Sequence, residues 1–409
     1  MRLAIRGSRA VTPGATALPF DQSGEKGLQL KNTEEQAVPV QDLDRRPARQ
    51  DVAHDFLTLQ EIAIAAQRNL SPVLWDTLCG GSDSETSLRR NRYALDSLAL
   101  RQRVMVNVVD VDIRTTLLGE TLRSPVFIAP VGNFLQLADP QGAVAVARAA
   151  VSYGTTAFIS TAARPGIEEV AASVDKPLLF QLYVRSDRRW VEGILKRAEA
   201  AGYRAICVTV DRAYYSRRER DLINRFLLKE SQGDPRYQAS LNWEDLAWIK
   251  ACTRLPLILK GITTAEDARL AVDHGANVVY VSNHGGRQLD HGQASIEMLP
   301  RIADAVGDRA EVVWDGGVCR GTDVIKALAL GARAVGVGKL QGLALAAAGE
   351  AGVVRMLELL EVEIRTTLGL MGVTSLAQLD SSCVLPSAPV SDGSLRSAYP
   401  RFEDPYAVR

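Results

Sequence analysis

Residues 256–283 read PLILKGITTAEDARLAVDHGANVVYVSN. An apolar run, PLILKG, gives way to TAEDARLAVDHG, whose apolar residues recur at helical spacing and which closes on Gly275; a second apolar run, VVYVSN, follows at once. Both runs are nearly continuous in hydrophobicity, as strands covered on both faces are. The unit repeats outward in both directions. Upstream lie PVFIAP (125–130), TAFIST (156–161), PLLFQLYV (177–184) and AICVTVD (205–211); downstream lie EVVWDGG (311–317) and AVGVGK (334–339). Segments such as QGAVAVARAAVSYG and RRWVEGILKRAEAAGY fill the intervals with helical patterns. Eight strands, each followed by a helix, predict a (β/α)8 TIM barrel; a doubly wound open sheet is the competing arrangement.

A barrel carries its chemistry on the loops leaving the C-terminal ends of its strands. Polar residues do gather there. Asn133 follows the first run, Ser160 and Thr161 close the second, and Gln181 and Tyr183 fall late in the third. Thr209 and Asp211 end the fourth, Lys260 the fifth, Ser282 to His284 the sixth, Asp315 the seventh and Lys339 the eighth. The chain has only four histidines and nine lysines, so one of the four and two of the nine occupy this rim.

Outside residues 55–380 the periodicity lapses. Residues 1–54 mix Pro, Gly, Gln and charge without a period, and residues 381–409 are rich in Ser, Pro and Asp; both are expected to be irregular extensions. The 48 basic and 48 acidic side chains cancel, which disfavours nucleic acid or an anionic membrane and favours a small-molecule ligand. Five cysteines without CxxC spacing argue against a disulfide framework or a zinc site and suit a reducing cytoplasm. No apolar run approaches the ~20 residues of a membrane span, and Met1–Ala10 lacks a signal-peptide core. A cytoplasmic location is therefore expected.

The densest chemistry is SNHGGRQLD, residues 282–290. Its two glycines allow backbone to approach a ligand, while His284 and Arg287 present a neutral-pH base and a carboxylate fork. A second element, DGGVCRGTDVIKALALGARAVGVGK (315–339), places glycine turns where barrels commonly hold phosphate. Lys260, ending an apolar strand, must face an anion or suffer unfavourable burial.

These strings resemble the FMN-dependent α-hydroxy-acid oxidising family, which includes glycolate and lactate oxidases and mandelate dehydrogenases; the likeness runs over about residues 56–378. It implies FMN as cofactor and an (S)-2-hydroxy acid as substrate, oxidised to a 2-oxo acid. His284 matches the family's base and Asp211 its carboxylate partner. Arg287 and Arg218 match the arginines that hold the substrate carboxylate, and Tyr183 matches a tyrosine that hydrogen-bonds the substrate. Ser160, Gln181, Thr209 and Ser282 match flavin contacts, and Lys260 matches the lysine near flavin N1 and O2. Asp315, Gly316, Gly317, Val318 and Cys319, with Gly338 and Lys339, match the ribityl and phosphate site. Val131, Gly132 and Asn133 take the place of the run that faces the flavin. The resemblance also implies a homotetramer; it leaves oxygen, a quinone or a carrier protein open as electron acceptor.

The chain departs from the family pattern at several positions. Thr77 stands where a tyrosine is usual, Ala162 where an aromatic residue is common, and Gly132 where the side chain is normally larger. Cys319 and Lys339 replace phosphate-site arginines, with Arg320 the expected substitute. Only 16 residues separate Phe226 from Trp243, a shortened lid after strand four. Smaller side chains and a smaller lid point to a substrate bulkier than glycolate or lactate, aryl or long-chain. The alternative is a monooxygenase-like or amine-oxidising relative acting on another bulky carboxylate.

Overall fold

The computed structural model describes residues 56–226, 234–391 and 393–402. Eight parallel strands form one sheet: β1 (Val126–Ile128), β2 (Phe158–Ser160), β3 (Leu179–Leu182), β4 (Ala205–Thr209), β5 (Leu257–Ile262), β6 (Val278–Val281), β7 (Glu311–Trp314) and β8 (Ala334–Val337). Each pairs with the next in sequence from β2 to β8, and β8 pairs with β1. A bridge between Ile128 and Ala157 joins β1 to the start of β2, so the sheet closes. Closure rules out the open doubly wound sheet and establishes the (β/α)8 barrel.

The quoted stretch shows why these residues take these forms. Thr264 accepts the Asp267 N–H at 3.1 Å and starts helix Ala265–Asp273, whose first turn carries Glu266 and Asp267. The chain leaves the helix at Gly275, φ +85°, a left-handed conformation that glycine adopts without steric cost. Buried Val, Ile and Leu then build the flanking strands.

The barrel interior is filled, not hollow. Phe127, Phe158 and Tyr280 meet with ring centroids 5.2–5.7 Å apart, and Gly336 on β8 leaves them room: a β-carbon there would lie 2.8 Å from the Phe127 ring. Below them the hairpin Thr115–Leu117/Glu120–Leu122 buries Leu117 and Leu122 in the same cluster. Its turn residues Leu118 (φ +50°) and Gly119 (φ +79°) have the paired left-handed geometry of tight hairpins. With the lower end plugged, the barrel can admit a ligand only at its C-terminal end.

The helical lead-in comprises Leu59–Asn69, Pro72–Cys79 and Thr86–Asp96. Arg92 of the last helix spans to Asp323 through two hydrogen bonds of 2.7 and 2.8 Å and also holds Asp96, locking the lead-in onto helix Gly321–Ala329. Burial disfavours the Arg92 charge, but Asp323 outweighs it and holds the pKa above its ordinary value. The C-terminal tail is less detached than its composition predicts. Val384–Pro386 pairs antiparallel with Leu98–Leu100, and Tyr399 and Phe402 are fully buried. Among the described residues no helix is long and apolar enough to cross a membrane. Arg92→Ala should lower unfolding stability by about 3–5 kcal/mol in denaturant titration, because it strands the buried Asp323 carboxylate.

Candidate active site

One cavity of about 1060 Å³ opens at the C-terminal end of the barrel. Among the described residues, ten arginine and lysine side chains line it against two carboxylates, Glu85 and Asp315. A chain with no net charge has thus concentrated cations around one cavity. That field selects anionic ligands.

His284 lies on this wall in the loop after β6, at φ +58°. Its Nδ1 sits 2.8 Å from Asp211 Oδ1, and its Nε2 lies 3.4 Å from the Tyr183 hydroxyl. Burial would raise the Asp211 pKa, but His284 and Lys260 outweigh that, leaving it below the ordinary carboxylate value. An ionised Asp211 accepts from Nδ1–H, which fixes the ring with Nε2 as the nitrogen beside the Tyr183 hydroxyl. The close approach depends on Gly261, φ +106°, where a β-carbon would lie 2.6 Å from that of Asp211. Gly261 belongs to the site, and its only signal in sequence was a glycine directly following the strand-end lysine.

Lys260 is 4% exposed and donates to Ser282 Oγ (2.6 Å) and Asp315 Oδ2 (2.9 Å). Ser282 in turn donates to Asp315 Oδ1 at 2.5 Å, so the ends of β5, β6 and β7 share one polar network. Burial lowers the lysine pKa, yet Asp315 and Asp211 together raise it above its usual value. The ammonium therefore stays charged, 4.3 Å from the centre of the Tyr280 ring.

Arg218, Arg287 and Tyr183 line the same cavity as His284. Arg218 is 7% exposed, lies 4.8 Å over the Tyr215 ring, and keeps a buried Nε without a hydrogen-bond partner among the described residues. Arg287 donates to the Gly80 carbonyl at 2.5 Å, which ties it to the lead-in. Sequence reading missed Arg212, which also lines the cavity and stacks over Tyr183 and Tyr215 at 4.6 and 4.7 Å.

Val131, Gly132, Asp315, Gly316, Gly317, Val318, Cys319, Gly338 and Lys339 are on the cavity wall. Ser160, Gln181, Thr209 and Ser282 are buried beneath it; Gln181 donates to Thr209 Oγ1 at 2.9 Å. Asn133, at the start of helix Phe134–Ala138, is off the wall. So is Arg320, which is drawn to Glu363 at 2.8 Å. The glycines of SNHGG divide their work: Gly285 faces the cavity with open space at its β-position, whereas Gly286 lets the loop pack on the Leu88 backbone. Part of the shortened lid, 227–233, lies outside the described residues; beyond it Gln238 donates to the Thr209 carbonyl at 2.9 Å.

The model of the FMN-dependent dehydrogenase family matches residues 66–236 and 229–386. The chain belongs to this family. Its FMN-dependent α-hydroxy-acid oxidase members include glycolate oxidase 5 of Oryza sativa subsp. japonica, 40% identical over 82% of this chain and 97% of that one. An L-lactate oxidase of Nostoc sp. is 39% identical over 80% of this chain and 97% of its own length. A variant mandelate oxidase solved with (S)-mandelic acid superposes with a TM-score of 0.76 at 40% identity, over 82% of this chain and all of that one.

The cofactor of this FMN-dependent family suits the residues present. Among the described residues Gln181 Oε1 is a buried acceptor with no partner and a β-carbon at Gly338 would meet nothing within 4 Å, while Lys260 offers a fixed positive charge. Asp211→Asn should lower the anaerobic rate of flavin reduction about 100-fold or more while leaving the flavin bound, as stopped-flow absorbance would show. Gly261→Ala, which forces Asp211 off His284, should lower it in the same way.

Proposed function

We propose that the protein oxidises an (S)-2-hydroxy acid bulkier than glycolate or lactate to the 2-oxo acid. The observation that carries this is the His284–Asp211 pair, whose Nε2 faces a cation-lined cavity shared with Arg218 and Arg287. The two guanidinium groups hold the substrate carboxylate, and the unpartnered Arg218 Nε is one donor for it. Tyr183, close to Nε2, orients the hydroxyl. His284 Nε2 then takes a proton from the substrate, and the resulting imidazolium is stabilised by Asp211. A bound FMN would supply the two-electron acceptor that the oxidation needs, together with a place for the second hydrogen lost from the substrate. Lys260 would supply positive charge against the negative charge of a reduced flavin, and Gln181, Thr209, Ser160 and Ser282 would help to hold its polar groups. Relatives that are oxidases favour oxygen as the acceptor.

Size selection rests on three positions. Thr77 donates to Asp221 at 2.8 Å, so its hydroxyl is committed away from substrate. Gly132 contributes no side chain to the wall, and Ala162, buried off the wall, sends no aromatic ring into the cavity. The superposed mandelate oxidase takes an aryl acid, which supports the same reading.

Anaerobic mixing with glycolate, lactate, mandelate, long-chain 2-hydroxy acids and the matching 2-amino acids tests the proposal. Flavin bleaching should be fastest with aryl or long-chain hydroxy acids, and admitted air should restore the colour rapidly. Lactate matching or beating all of them would overturn the size assignment; bleaching by amino acids alone would overturn the reaction. Gly132→Ala should lower kcat/KM for the aryl acid relative to lactate about tenfold.

A further inference from the structure

The C-terminal segment reaches the cavity. Ser391, Gly393, Ser394, Leu395 and Arg396 line it together with the Gly316–Cys319 turn that follows β7. The segment is held on both sides of Arg396. Gly393 packs so closely on helix Thr86–Asp96 that a β-carbon would lie 2.8 Å from the Tyr93 nitrogen. The Tyr399 hydroxyl donates to the Cys319 carbonyl at 2.9 Å, and Phe402 stacks on Trp75 at 5.4 Å, both residues fully buried.

The cations near that turn are otherwise engaged. Arg320 pairs with Glu363, and Arg92 is spent on Asp323 and Asp96. Lys339 donates to the Cys79 carbonyl at 2.7 Å, and burial pulls its pKa below the usual lysine value. Cys319 offers no charge, since burial pushes its thiol pKa up. Arg396 differs from all of these: its exposed guanidinium has no hydrogen bond or ion pair among the described residues.

We propose that Arg396 is a phosphate ligand of the bound FMN and that residues 393–402 are the clasp that presents it. Anchors on both flanks order this backbone before the ligand arrives, so the arginine can engage the phosphate with only its own side chain to immobilise. The proposal rests on the FMN reading and adds a ligand from outside the barrel strands. Its effect is specific to the phosphate.

The test compares two flavins. FMN release on dilution of the full-length holoenzyme is read by flavin fluorescence, and the stripped protein is then titrated with riboflavin, which lacks the phosphate. Arg396→Ala should raise the FMN Kd about tenfold at low salt and leave riboflavin unchanged, with the difference shrinking as salt rises. Arg396→Lys should restore most of the affinity, and Tyr399→Phe should weaken FMN by loosening the clasp. Wild-type FMN affinity in Arg396→Ala, or an equal loss for both flavins, would overturn the proposal. Failure of the wild-type protein to bind either flavin would instead overturn the FMN reading, and this inference with it.

Discussion

An ammonium group buried at the end of β5 cannot rely on water, and the upper face of this barrel is organised around that constraint. Lys260 is held by Ser282 from β6 and Asp315 from β7, above the ring of Tyr280, whose aromatic neighbours fill the barrel. Its charge helps to keep Asp211 ionised, and Asp211 sets the hydrogen-bonding state of His284. The lysine therefore connects the packed core to the Asp211–His284 pair. Removing its charge would disturb three strand ends at once.

The second wall comes from outside the barrel. Helix Thr86–Asp96 meets the His284 loop at Gly286, and Asn91 exchanges two hydrogen bonds, of 2.8 and 2.9 Å, with Asn283. Arg92 fastens the same helix to the helix after β7. The lead-in thus fixes the loop that carries His284, and through the Gly80 carbonyl it also restrains Arg287. The shape of the cavity wall depends on the lead-in as much as on the strands.

The barrel was legible because a strand buried on both faces must be continuously apolar and must end in polar residues where it meets the site. His284, Lys260 and Asp315 stood out because charged or titratable groups at such ends have few structural uses. Other features left a weaker trace. Gly261 left no trace beyond its place after the strand-end lysine, because only the fold brings Asp211 against it. Arg320 directly follows the Asp315–Cys319 turn, yet the carboxylate of Glu363 holds it away from the cavity. The Ser- and Pro-rich tail gave no period, although Tyr399 and Phe402 each occupy a buried place that the rest of the chain leaves for them.

By itself the sequence determined the eight strands, their order and the set of side chains at their C-terminal ends, since these follow from local periodicity and chain connectivity. Tertiary structure alone decided which nitrogen of His284 faces the cavity, which arginines remain available to an anion, and where the tail lies. Those outcomes turn on contacts between residues far apart in the chain, where a shift of an ångström separates a hydrogen bond from a gap and no local pattern records the partner.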